Sequence, residues 1–150
     1  MKKLTLRKAT QADLPTLLEL YSVFDRDGDP GLSLAAAEEI FAQMQHYPSY
    51  TIYLAHYEGE IVGTFALLIM DNLAHRGMSE GVVENVVVSP QHQNLGIGKE
   101  MMEYAMHVCV EAGCYKLVLS SNVINERAHR FYESLGFEKY GYSFRVELNG

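Results

Sequence analysis

Cysteine, positive charge and long apolar runs are all scarce in this chain of 150 residues, and each scarcity excludes something. Two cysteines, Cys109 and Cys114, supply neither a zinc set nor a disulfide framework, and a reducing cytoplasm is the simplest setting for them. Twelve basic residues stand against 19 acidic ones, for a net charge of −7, so a broad nucleic-acid footprint is not expected. No apolar run approaches the roughly 18 residues of a membrane span. The opening MKKLTLRKAT carries a lysine pair with no apolar stretch behind it, so it does not read as a secretion signal. The six histidines show no metal-ligand spacing. DRDGDPG, from Asp25 to Gly31, mimics a calcium loop, but its glycine comes too early and Ala36 stands where a bidentate glutamate belongs. No metal is expected.

What is present suffices for one domain: 48% of the residues are hydrophobic, and there is no repeat, low-complexity tract or long linker. LTLRKA alternates like a strand, and Thr10 with Asp13 has capping-box spacing for a helix running to about Phe24. Ser33 caps a second expected helix carrying Leu34, Ile40, Phe41 and Met44. TIYLAHYEGEIVGTFALLIM reads as two strands around a Glu58–Gly59 turn. VVENVVV is apolar at most positions and reads as a central strand. From Gly98 to Ala112 apolar residues recur at helical spacing, with Gly113 as terminator. YKLVLS predicts a strand, NERAHRFYESLG a helix ending at Gly136, and YGYSFRVEL a closing strand. Strands and helices mixed around one sheet make an α/β or α+β domain spanning 1–150.

Between the valine strand and the long helix lies QNLGIGKE, Gln93 to Glu100. A strand, a glycine-rich turn and a helix start form an anion site, because free backbone N–H groups and the helix dipole converge there. A phosphate-binding P-loop is excluded, since Lys99 precedes Glu100 and no glycine stands at the required distance. The dinucleotide fingerprint fails at its third glycine, which is Met101. Taken alone, the stretch fits a plain connecting turn as well as a ligand loop.

Gln93-x-x-Gly96-x-Gly98 resembles the Q/R-x-x-G-x-G/A motif of the GNAT family of N-acetyltransferases. Asn125-x-x-Ala128-x-x-Phe131-Tyr132, followed by ESLGFE, is similar to that family's second signature, about thirty residues on. The resemblance implies a GNAT fold, a mixed sheet of about six to seven strands flanked by about four helices. It implies acetyl-coenzyme A as cosubstrate, with the pyrophosphate at Gln93, Asn94, Leu95, Gly96, Ile97, Gly98 and Lys99. It lays the pantetheine arm along Val86, Val87 and Val88, with Asn122, Asn125 and Tyr132 also at the coenzyme. Gln93-Asn94 departs from the family's frequent Arg-Gly, so backbone amides carry more of the anion binding. A small-molecule amine, a cytoplasmic location and a homodimer are the implied acceptor, setting and assembly.

Acetyl transfer to nitrogen needs a neutral amine and a proton for the departing thiolate. Glu84, inside the valine strand, is either an outward solvated residue or a semi-buried base with a raised pKa. Glu80 and His75 compete for that role. By the resemblance Tyr132 is the proton donor, though its ring also fits an amphipathic helix face. Asn122 and Asn125 equally suit a turn residue and a helix N-cap. Both cysteines read as core, which leaves little room for an acyl-cysteine route. DRDGDPG then reads as a loop near the acceptor.

Within the family, LSSNVINERAHRFYESLGFEKYGYSF is similar to aminoalkylphosphonate acetyltransferases, and ENVVV and GCYKLVL to glucosamine-6-phosphate acetyltransferases. A phosphorus oxyanion on the acceptor would engage Arg76, Arg130 or Arg145, which otherwise are ordinary surface residues. The alternatives are an enzyme acetylating peptides or proteins and a coenzyme A-binding module without catalysis.

Overall fold

Local signals set most of the elements. A computed structural model describes residues 4–149. The chain forms two compact units, Met1–Val118 and Leu119–Gly150.

The first unit holds a five-stranded sheet in the order β1-β2-β3-β4-β5: Leu4–Lys8, Tyr50–Tyr57, Glu60–Met70, Ser79–Val88 and Cys114–Val118. The first three pairings are antiparallel and β4–β5 is parallel, so the sheet is mixed. The strand count is five among the described residues, against the six to seven expected.

Thr10 does open a helix. Its backbone N–H and its hydroxyl both donate to Asp13 Oδ2, at 2.7 and 3.0 Å. A short 3-10 turn, Gln11–Asp13, then leads into α1, Leu14–Tyr21. Asp13 is also gripped by both terminal nitrogens of Arg7, at 2.7 and 2.8 Å. That hydrogen bonding holds its carboxyl well below the usual carboxylate range. The stability it contributes is present above the ordinary carboxylate pKa and fades as the pH falls through the folded value. Ser33 caps α2, Leu34–Met44, accepting from the Ala36 N–H at 3.2 Å. Glu58 and Gly59 turn β2 into β3 with φ of 51° and 85°.

The two faces of the sheet receive different helices. Leu14 and Leu17 of α1 and Ala37 of α2 cluster with Ile52, Leu54 and Ala66 on one face. On the other, α3 (Ile97–Glu111) buries Met101, Met102, Ala105 and Cys109, and its Tyr104 meets the stacked pair Tyr53–Phe65 edge-on at 5.4 Å. This helix packs closely: a Cβ added at Gly81 would collide with Cys109 Sγ and lie 3.1 Å from Leu117 Cδ1. Gly81→Ala should therefore cost about 1–3 kcal/mol by overpacking. Adding Cys109→Ala should recover part of that loss, measured as a coupling in denaturant unfolding of the four variants. Additive effects would show that the two residues do not meet.

Two expectations about strands need correction. VVENVVV is flanked on both sides only at its first residue, Val82, because the β4–β5 pairing runs from Ser79↔Cys114 to Val82↔Val118. YGYSFRVEL forms no strand: residues 137–149 carry no regular structure, and Tyr142, Phe144, Val146 and Leu148 are exposed. Alternation gives a strand a face, but only a paired neighbour gives it a ladder.

The second unit is built on α4, Glu126–Ser134. None of its described residues is buried.

Candidate active site

β4 is irregular where the predicted base lies. Thr64 of β3 pairs with Val87 and Ala66 with Glu84, so Phe65 faces both Asn85 and Val86. This is a β-bulge, and its extra residue, Asn85, takes a φ of 54°. Asparagine tolerates the left-handed region better than most residues, and that is the one sequence signal for the bulge. Beyond it β4 has left β5, whose pairing ended at Val82. The backbone from Asn85 to Val88 therefore runs on past the parallel ladder.

Glu84 opposes Ala66, which belongs to the cluster under α1 and α2, so its side chain is on that face. It is exposed rather than semi-buried. Its charge is felt nearby: burial raises the Tyr50 pKa, and the Glu84 carboxylate raises it further. The rival bases are otherwise engaged. Glu80 pairs with Lys116 at 3.1 Å, and His75 stacks on the Tyr115 ring at 4.6 Å between centroids.

The glycine loop follows directly. Gln93 Nε2 donates to the carbonyl of Val88 at 3.3 Å, tying the loop back to the end of β4. Asn94 and Gly96 take φ of 64° and 79°, and Gly96 is the N-cap of α3. Unlike Ser33 and Asn125, Gly96 has no side chain with which to cap. The Ile97, Gly98 and Lys99 amides are thus first-turn donors without an intrahelical partner. Lys99 lies 3.9 Å from Glu103, one turn along, and is mostly solvated.

In the second unit, Asn125 Oδ1 accepts from the Ala128 N–H at 3.1 Å as the N-cap of α4, and Asn122 Oδ1 accepts from the Ile124 N–H at 3.1 Å in a turn. The Tyr132 ring packs between Phe131 and Phe137, with centroids 5.1 and 5.7 Å away. Burial raises its pKa, so the phenol stays protonated beyond its ordinary range near ~10.

Cys109 is buried and its thiol is pushed up to about 12, chiefly by burial and then by Cys114. A thiol so protonated is a poor nucleophile. Cys114 is only half-buried at the start of β5, against the expectation of core. Among the described residues no group of three or more His, Cys, Asp or Glu could hold a metal ion, and no helix is long and apolar enough to cross a membrane.

A cavity of about 440 Å³ opens beside α1, walled by Leu18, Glu19, Tyr21, Asp25, Pro30 and Leu32 among others. None of the predicted catalytic or coenzyme-binding residues lines it, but Asp25 and Pro30 of DRDGDPG do. Tyr21, in its wall, is beside Thr64, the β3 residue paired with Val87 just past the bulge. Residue composition gave no hint of this wall, because it is formed by tertiary packing. Arg76, Arg130 and Arg145 are exposed, and Arg145 lies 3.8 Å from Glu147.

The β4–β5 pairing ends at Val82, and the chain beyond β4 runs through the glycine loop into a helix start that no side chain caps, in a mixed α/β fold. The chain belongs to the acetyltransferase (GNAT) family, whose model matches residues 14–137. It is 34% identical over 90 residues to a glucosamine 6-phosphate N-acetyltransferase of Trypanosoma brucei brucei, covering 60% of this chain and 59% of that enzyme. The matched stretch thus spans under two thirds of that relative's length. An aminoalkylphosphonate N-acetyltransferase of Salmonella typhimurium is 28% identical over 143 residues, 95% of this chain and 90% of the relative. A solved structure from Agrobacterium tumefaciens str. C58, provisionally described as an acetyltransferase, superposes with a TM-score of 0.89 at 35% identity, covering 96% of this chain and 99% of that one.

Proposed function

We propose that this chain is an acetyl-coenzyme A-dependent N-acetyltransferase that acetylates the primary amine of a small molecule by direct attack in a ternary complex. The observation that carries the reading is the end of the β4–β5 pairing at Val82, before the bulge, with the strand leading on through the glycine loop to a helix start that no side chain caps. Acetyl-coenzyme A supplies an acetyl thioester there. The Leu95 to Lys99 amides, with Gln93 and Asn94, would hold the pyrophosphate, and Val86–Val88 would hold the pantetheine arm through their backbone. Asn122 and Asn125, whose Oδ1 atoms hold the local turns, would offer their Nδ2 groups to the coenzyme. Glu84 takes the proton that the amine loses, directly or through water, and Tyr132 supplies one to the leaving thiolate. The family match runs across both compact units, which supports treating 1–150 as one domain.

A small acceptor is supported by the cavity, which lies within the ~300–1,000 Å³ usual for small-molecule sites. Glu19 and Asp25 in its wall suit a cationic amine. The names of the trypanosomal and Salmonella relatives point to amines that also carry phosphate or phosphonate. Initial rates measured on such amines and on peptides should favour the small amines, with intersecting double-reciprocal lines. The Cys109→Ala, Cys114→Ala double variant should keep its turnover. Parallel lines, or an acetyl-enzyme found by mass spectrometry, would overturn direct attack. Faster peptide acetylation would replace the acceptor class, and coenzyme binding without any transfer would make the chain a binding module.

A further inference from the structure

The cavity beside α1 has negative charge in its wall and no positive charge to balance it. Glu19 and Asp25 line it, and among the described residues no lysine, arginine or histidine does. Arg26 follows Asp25 in sequence without joining the wall, and Arg7 is taken up by Asp13 ahead of α1. Asp25 Oδ2 lies 3.7 Å from the point where a Cβ on Gly31 would stand, so the loop closes on itself and keeps that carboxylate in the wall. An acceptor bearing phosphate or phosphonate needs a cation for its oxyanion. These carboxylates repel one.

Tyr21 leads from this cavity toward the proposed base. Tyr21 and Tyr50 both pack on the cluster that includes Ala66, and they lie within electrostatic reach of each other. Across the sheet, Ile52, Ala66 and Glu84 form one row, and Tyr50, Leu68 and Val82 form the next on the same side. The small Ala66 leaves space above β3 between Tyr50 and Glu84, and the phenol is within reach of that carboxylate's charge. The Tyr47 ring, 56% exposed, stands 5.9 Å from the Tyr50 ring between centroids. Aromatic faces beside a carboxylate receive an ammonium group.

Resting on the acetyl-transfer reading above, we infer that the acceptor is a small dication. Its reacting nitrogen docks on the Tyr50 ring beside Glu84, and a second ammonium, several carbons away, docks between Glu19 and Asp25. On transfer the bond from the acetyl carbon to the coenzyme's sulfur breaks, and one to the reacting nitrogen forms. The ammonium gives up two protons in all: one leaves through Glu84 to water, and one balances the proton that Tyr132 supplies to the thiolate. The amide that results carries no charge. A second transfer would set that amide in the acidic wall, so the monoacetyl compound is the product.

Steady-state rates with butylamine, aminoethylphosphonate and a series from diaminopropane to diaminohexane test this. The best diamine should exceed both other amines in kcat/KM by about tenfold or more, the effect of one added charge-assisted contact. Its advantage should shrink as salt is added, because Glu19 and Asp25 are exposed. The double variant Glu19→Gln, Asp25→Asn should raise KM for the diamine far more than for butylamine, with the loss in KM rather than kcat. Tyr50→Leu should weaken both amines, and Tyr50→Phe, which keeps the ring, should lose less. Aminoethylphosphonate turned over as fast as the best diamine, or a diamine preference that survives in the double variant, would overturn the proposal. Calorimetric binding of the diamine to wild type and double variant needs no turnover. Wall-dependent binding without transfer to any amine would remove the transferase reading and leave this site standing. Transfer to butylamine with no wall-dependent diamine binding would overturn the site alone. The melting temperature of each variant keeps misfolding apart from lost binding.

Discussion

Gly96→Val should fold and lose most of its affinity for acetyl-coenzyme A, by at least about a hundredfold. Two effects add. Gly96 caps α3 at a φ of 79°, a region that β-branched residues reach only with strain. To escape it the backbone must turn, and the Ile97, Gly98 and Lys99 amides then lose their common aim. A valine side chain would also stand where a phosphate must come close. The loop is largely exposed, so the fold should survive, as melting temperature without ligand would show. Gly96→Ala should fall between wild type and valine. Calorimetric titration with the coenzyme is the measurement. A folded Gly96→Val chain with unchanged affinity would remove the loop from the coenzyme site.

The second large effect separates the two residues proposed to move protons. Loss of a positioned acid or base costs typically ~10²–10⁴-fold in turnover. Tyr132→Phe should fall in that range while binding the coenzyme almost as well as wild type. Burial raises the Tyr132 pKa, so the group remains a donor through the whole working range. Raising the pH should therefore not rescue the phenylalanine variant. Glu84→Gln should behave differently. The amine needs the base only while it is protonated, so the deficit should be greatest at low pH and shrink as the pH approaches the amine's own pKa. Glu84 is exposed, which suits proton removal through a water chain as well as by direct contact. Rate–pH profiles of both variants decide the matter. A Glu84→Gln profile that follows wild type throughout would leave Glu84 as a strand residue alone.

The features that were legible in the sequence are those whose causes are local. Thr10 and Asp13, Ser33, and the Glu58–Gly59 turn lie within a few residues of the groups they satisfy. The periodic apolar face of α3 needs only one sheet to pack on. What escaped depends on partners far along the chain. The bulge at Asn85 exists only in register with β3, and Glu84's exposure follows from packing that no single strand encodes. YGYSFRVEL has the alternation of a strand and lacks a described neighbour to make it one. In the candidate site, the turn of the glycine loop and the helix start after it were legible, because the left-handed positions fall at Asn94 and Gly96. Asn122 and Asn125 left two readings open, and their Oδ1 atoms serve the structural one. The cavity beside α1 was legible only as a loop, DRDGDPG, without its walls.

The bulge also shifts the phase of β4. Glu84 and Val87 are three positions apart, and an unbroken strand would turn them to opposite sides of the sheet. With Asn85 spliced in, they oppose Ala66 and Thr64 of β3, two positions apart and so on one side. The reach of β4 is therefore set by a residue count as much as by residue chemistry. Deleting one residue at Asn85 would leave every valine in place and yet rotate the strand's far end by half a turn. Conservative substitutions along Val86–Val88 should matter less to this protein than a change of one in the strand's length.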